Sequence, residues 1–265
     1  MRSNPSVQLY HFPPSLCSQK VRLALAEKGV AWESTMVNIG PPMENYEPWY
    51  ARINPRMVVP TLVVDAEVIT DSARIVAEVD RRFPGPDLRA GDPGVQALIA
   101  LQDRMPIREL AYARTSGLMG FLVKGAFEKR VKVLTRQRDA HPDLAPLYQA
   151  RLDDVARWRH QSSTSEEIER GREAVARALE TLEETASDAE GLVGAYSLAD
   201  VTWTVLVARL HFMGWRDRMG PKTLAWYARM KARPTFEGAD VWERPKPLKM
   251  LPIVGQVVAM RLGLR

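Results

Sequence analysis

Cysteine is nearly absent: the 265 residues contain one, Cys17. A single thiol excludes an intrachain disulfide framework and a thiolate-rich zinc centre, and it suits a reducing compartment, so the cytoplasm is the expected location. Histidine is almost as scarce, with four. His11 falls in an expected strand, His141 precedes proline, His160 has polar neighbours and His211 closes an apolar helix. None of these spacings matches a ligand set or a triad, so structural roles are expected and no metal. There is no glycine-rich phosphate loop, which removes support for nucleotide chemistry. The first twenty residues lack the basic start and apolar core of a secretory leader, so export is not expected.

What is present is a globular balance, with 46% apolar and 26% charged residues, enough for one large core or two smaller ones. The net charge of +5 raises the question of nucleic acid. Basic residues alternate with acids in stretches such as ERGREAVARALETLEE, the pattern of a solvated surface. The densest basic stretch, residues 124–138, has no aromatic series on which bases would stack, so no nucleic-acid partner is expected.

Up to Phe83 the periodicity alternates. VQLYHF reads as a strand, SQKVRLALAEKG as a helix, TMVNI, TLVVD and EVIT as strands, and a second helix follows: βαβ, then ββα. On the first helix Val21, Ala24 and Leu25 share a face, Lys20, Glu27 and Lys28 are expected to reach water, and Gly29 fits the C-terminal cap. On the last, Ile75, Val76, Val79 and Phe83 form the apolar stripe, and the Pro84–Gly85–Pro86 run stops it. Residues 84–94 read as a linker. Beyond it the pattern is almost wholly helical: a helix or kinked pair over 95–122 around Pro106, charged helices over 124–159 broken near His141, and a polar hinge at QSSTSEE. Thr164 and Glu167 have capping-box spacing, with Ile168, Val175, Leu179 and Leu182 on one face of the helix that follows. Ser197 and Asp200 form a second box, ahead of DVTWTVLVARLHF, which is apolar nearly all round and therefore expected at the centre of a core. The resulting division is an α/β domain over 1–84, an all-helical domain over 95–240 and a tail over 241–265.

Three short segments could carry chemistry. FPPSLCSQKVR places Ser15 and Cys17 where the first strand meets the first helix, whose free amides and positive dipole end favour an anion. A helix cap and a small buried thiol explain the same residues. In NPRMVVPTLVV, Pro60 stands directly before an apolar strand. A cis Val59–Pro60 bond would reconcile the two and turn the Val59 amide and carbonyl toward an extended peptide, whereas an ordinary trans edge proline is the plainer reading. In VITDSARI, Asp71 and Ser72 open a helix. Its amides and the Ser72 hydroxyl suit a carboxylate and the Asp71 carboxylate an ammonium, while capping alone explains each residue. Further along, Met105, Arg108 and Tyr112 at i, i+3 and i+7 could line a pocket or simply pack and face solvent.

Taken in order, PPSLCSQKVRLALAEKG, VVPTLVV, ITDSARIV and SLADVTW resemble the landmarks of the glutathione transferase superfamily over nearly the whole chain. The resemblance implies a thioredoxin-like α/β N-terminal domain followed by an all-α C-terminal domain, glutathione as co-substrate, a small-molecule electrophile and a homodimer. It implies that Val59 and Pro60 pair with the cysteinyl backbone of glutathione and that Asp71 and Ser72 hold its γ-glutamyl group, with Asp where many members carry Glu or Gln. Ser15 and Cys17 become the catalytic pair. The Ser15-x-Cys17-Ser18 order is similar to the zeta class, which includes maleylacetoacetate isomerases. SLCSQK, ENYEPWYARIN and YARMKARPTFE are similar to tetrachlorohydroquinone-type reductive dehalogenases. A weaker likeness, in LYHF, SQKVRLALAEKG and NYEPWYARIN, is to ganglioside-induced differentiation-associated proteins, which combine the fold with membrane attachment and weak or absent classical transferase activity, and it implies a non-enzymatic membrane-associated module as the alternative. The C-terminal MLPIVGQVVAMRLGLR, too short to span a bilayer, fits either a weak membrane-surface contact or packing at an interface.

Overall fold

The computed structural model describes residues 5–40, 42–113, 117–244, 246, 248, 249 and 251. The tail sequence after Leu251 lies outside the described residues. The chain divides into two compact units: one made of residues up to Val37, Val59–Arg104 and Arg177 onward, the other of Asn38–Val58 and Met105–Ala176.

In the first unit, the strands are β1 (Val7–His11), β2 (Glu33–Met36), β3 (Thr61–Val64) and β4 (Glu67–Thr70), in the order β2-β1-β3-β4, and the β-branched and aliphatic run TLVV forms β3. β1 and β2 are parallel, with His11 opposite Met36, and the other two pairings are antiparallel. Strand β2 was expected over TMVNI but ends at Met36. Its partner ends at His11, whose carbonyl accepts the Val37 amide, and beyond that Asn38 turns to Glu44 instead. Leu9, Leu62 and Ile69 are fully buried, as period-2 alternation requires.

Helix α1 (Leu16–Glu27) packs against α3 (Ser72–Arg82) and against α9 (Leu198–Phe212). The expectation that Lys20, Glu27 and Lys28 reach water is therefore wrong: the three are between 1% and 7% exposed. With helices on more than one side, no face of α1 is left for solvent, and each charge is paired instead. Lys20 meets Asp103 at 2.6 Å, Lys28 meets Asp80 at 3.0 Å, and Glu27 accepts from Arg233, Tyr196 and Thr235. Burial works against the Glu27 carboxylate, but these hydrogen bonds outweigh it and hold its pKa below the usual range. For Lys28 and Asp80, both buried, removing one partner costs about 3–5 kcal/mol, because the other charge stays buried. Gly29, at φ +64, closes the helix as expected, a conformation that disfavours any residue with a Cβ.

Helix α9 is buried nearly throughout, and its capping box forms. Asp200 accepts the Ser197 amide at 2.9 Å and its hydroxyl at 3.0 Å, and also takes the Leu192 amide and the Trp226 indole of α10 (Pro221–Ala232). Trp203 donates to the Leu98 carbonyl of α4 (Pro93–Asp103), tying α9 to its neighbour. A short helix, α11 (Pro234–Gly238), follows α10.

The second unit holds α2 (Pro48–Ile53), α5 (Ile107–Ala113), α6 (Gly117–Ala140) and α7 (Ala145–Gln161), and it shares α8 (Ser165–Thr185) with the first. The expected break near His141 is present between α6 and α7. Its core gathers Met43, Tyr46, Met57, Phe127, Tyr148 and Trp158. The capping box expected at Thr164 does not form: its hydroxyl is buried without a partner, while Glu167 is drawn to Arg170 at 2.8 Å. Among the described residues no helix is long and apolar enough to cross a membrane.

Candidate thiol and peptide site

Sheet register gathers the three segments. His11 ends β1, Thr61 begins β3 opposite Tyr10, and Thr70 ends β4 opposite Thr61. The turn after β1, the Val59–Pro60 segment before β3 and the Asp71–Ser72 segment after β4 therefore all lie at one end of the sheet, within the first unit. Ser15, Cys17, Val59, Pro60, Asp71 and Ser72 share that end.

Ser15 is the N-cap of α1, and its hydroxyl oxygen accepts the Ser18 amide at a long 3.4 Å. That leaves the hydroxyl proton to donate elsewhere, so capping does not use up the donor of this residue. Cys17 sits in the first turn, half-buried and free. The Leu16 and Cys17 amides make no hydrogen bond among the described residues, as the opening of a helix leaves them. The turn itself is firmly held. Ser15 N–H donates to the Phe12 carbonyl at 2.9 Å, and the Pro14 carbonyl accepts from Gln19 and from Arg209 of α9. Buried Arg22 donates to the Pro13, Ala239 and Asp240 carbonyls, fastening the chain after α11 to the same turn. Burial pushes the Arg22 pKa down to about 10, opposed by Asp240. His11 is buried alongside. Its Nδ1 lies 3.2 Å from Arg22, which can only donate, so Nε2 carries the ring proton and donates to Ser34 at 2.7 Å. Burial, reinforced by Arg22, pushes its pKa to about 4 and keeps the ring neutral.

The Val59–Pro60 bond is cis. The Val59 amide and carbonyl have no hydrogen bond among the described residues, although the residue is only 7% exposed. An extended peptide laid beside them would complete both. Asp71 adopts φ +75, a conformation rare for a residue with a Cβ and concentrated at ligand sites. Its carboxylate caps α3 by accepting the Ala73 and Arg74 amides, so the capping reading holds for this residue. The Ser72 amide and hydroxyl, by contrast, have no partner among the described residues.

Arg108 and Tyr112 belong to the second unit. Arg108 stacks 4.8 Å above the Trp158 ring and pairs with Glu109, while Tyr112 packs on Phe127 and Trp158. Both are parts of an aromatic cluster within that unit. Sequence reasoning missed Arg209, Gln19 and Arg22, the residues that hold the thiol turn. Arg209 carried a usable signal, being the one arginine or lysine in the largely apolar stretch from Val201 to Phe212.

A family model described as "Glutathione S-transferase, N-terminal domain" matches residues 14–82. The tetrachloro-p-hydroquinone reductive dehalogenase of Sphingobium chlorophenolicum is 34% identical over 246 residues, 89% of this chain and 96% of that protein. The human ganglioside-induced differentiation-associated protein 1-like 1 is 40% identical over 93 residues, which is 35% of this chain and 25% of that protein. Among solved structures, the beta-etherase LigF of Sphingobium sp. strain SYK-6 superposes with a TM-score of 0.65 at 25% identity, over 88% of this chain and 98% of that one.

Proposed function

Since the chain belongs to the glutathione transferase family, with glutathione as the co-substrate, we propose that it reductively removes halide from a halogenated aromatic ring, with Ser15 and Cys17 as its catalytic residues. The observation that carries this reading is the placement of a free thiol in the first turn of α1, at the same end of the sheet as the unpaired Val59 backbone and Ser72 groups. The Val59 amide and carbonyl receive the cysteinyl part of glutathione. The Ser72 amide and hydroxyl receive its γ-glutamyl carboxylate, and Asp71 its ammonium. The glutathione sulfur then lies at the turn, where the Ser15 hydroxyl donates to the thiolate.

Three steps balance. The glutathione thiolate forms a bond to the ring carbon and halide leaves. The Cys17 thiolate attacks the sulfur of the resulting thioether, the carbon–sulfur bond breaks, and the ring carbon keeps the electron pair and takes a proton. A second glutathione thiolate attacks the Cys17–glutathione disulfide, releasing glutathione disulfide and restoring Cys17. One ring carbon is reduced by two electrons and two glutathiones are oxidised. The resemblance to the dehalogenase over most of both chains supports this chemistry over simple conjugation.

The test is stoichiometry. With a chlorinated hydroquinone and excess glutathione, one chloride, one dehalogenated ring and one glutathione disulfide are expected per turnover. A stable glutathione conjugate as sole product, or turnover of a maleyl-type acid without glutathione consumption and no chloride release, would contradict it.

A further inference from the structure

The sulfur chemistry above leaves one charge at the turn unexplained. Arg209 projects from the last turns of α9, a helix whose residues from Leu198 to Ala208 are all buried. Its guanidinium donates to the Pro14 carbonyl and packs 5.5 Å from the Phe212 ring centre. Among the described residues it has no carboxylate partner, whereas Lys20, Lys28 and Arg233 each have one. Arg209 itself is half-buried, and a guanidinium drawn partly out of water without a counter-ion is disfavoured. Burial accordingly pushes its pKa below the usual arginine range, and the charge of the Cys17 sulfur acts in the opposite direction. Its hydrogen bond to the Pro14 carbonyl places the guanidinium at the thiol turn, where an anion would complete it.

We propose that Arg209 is a positioning residue of the thiol site, holding the turn through the Pro14 carbonyl and keeping a fixed positive charge beside the Cys17 sulfur that favours anionic reactants there. That the anionic reactant is the glutathione thiolate rests on the function proposed above; the charge at Cys17 does not. A carbonyl contact alone could be made by any donor. A cation without a counter-ion, fastened to the turn that carries the sulfur, points to a charge-bearing role.

Because Cys17 is the one cysteine in the chain, alkylation of the intact protein reads this site alone. In each alkylation the Cys17 sulfur bonds to the reagent methylene and iodide leaves. Two reagents of similar size, anionic iodoacetate and neutral iodoacetamide, are compared at one pH. Both react with the same thiolate, so the ratio of their rates cancels thiolate content and general loosening of the turn. The expected wild-type ratio exceeds that of free cysteine in the same buffer. Arg209→Gln lowers it on the order of fivefold, and Arg209→Lys preserves most of it. The difference between wild type and Arg209→Gln narrows as salt rises. Equal ratios in wild type and Arg209→Gln, at comparable melting temperatures, would overturn the proposal. Should Arg209→Gln fail to fold, a wild-type ratio equal to that of free cysteine and insensitive to salt overturns it equally. A charge-dependent ratio in a protein that does not bind glutathione would support the placement of Arg209 while removing the enzymatic reading.

Discussion

Cys17→Ser is expected to stop the reaction halfway. The substitution leaves the Val59 and Ser72 groups untouched and replaces sulfur by oxygen in the first turn of α1, where serine is readily accommodated. Glutathione affinity should stay within about twofold of wild type, and so should the melting temperature. The first displacement, carried out by the sulfur of glutathione, should proceed. The second cannot, because a serine hydroxyl at neutral pH does not attack a thioether sulfur as a thiolate does. The glutathione–ring conjugate should accumulate to about one equivalent per halide released, and formation of the dehalogenated ring should fall roughly a hundredfold or more. Mass spectrometry of the quenched reaction reads both. Undiminished formation of the reduced ring by Cys17→Ser would place the thiol outside the chemistry and leave it a small half-buried side chain.

The largest effect on stability is expected far from that thiol, at Asp200. Its carboxylate is fully buried and receives four hydrogen bonds, from the Ser197 amide and hydroxyl, the Leu192 amide and the Trp226 indole. Burial raises its pKa, partly offset by those donors. Asp200→Ala strands four donors in the interior at about 1–3 kcal/mol each, so a loss of about 4 kcal/mol or more is expected against a total stability of about 5–15 kcal/mol. For a chain of this size that lowers the melting temperature by roughly 10 °C or more. The surrounding space is equally constrained, since a Cβ on Gly191 would lie 2.5 Å from both the Ala195 carbonyl and the Asp200 carboxylate. Asp200→Asn keeps an acceptor for two of the donors and should cost about half as much. A melting temperature within about 3 °C of wild type for Asp200→Ala would mean that the network does not hold α9 and α10 together.

The Ser197–Asp200 box was legible in the sequence because it is local: three residues of spacing, then an apolar run. The same holds for β1, β3, β4 and α3, whose periodicities and stop signals lie within a dozen residues of each other. The charges on α1 were misread for the opposite reason. Lys20, Lys28 and Glu27 find Asp103, Asp80 and Arg233, and only the fold reveals that α1 is covered on more than one side. Thr164 shows the limit of spacing itself, because Glu167 had a competing partner in Arg170 one turn on. The candidate site was legible as three segments in order, each also explicable by capping or ordinary packing. The sheet register adds their common end, and the long-range contacts add Arg209, Arg22 and Gln19, which no local pattern links to the thiol turn.

The central claim, that this end of the sheet receives glutathione, is tested most directly by calorimetric titration of glutathione into wild type, Cys17→Ser and Ser72→Ala. Saturable binding with a Kd at or below about 1 mM is expected for wild type. The affinity should be unchanged in Cys17→Ser and about tenfold weaker in Ser72→Ala, the loss of one hydrogen bond to a charged group. No saturation of the wild type at several times that concentration, or an affinity indifferent to Ser72, would contradict the account.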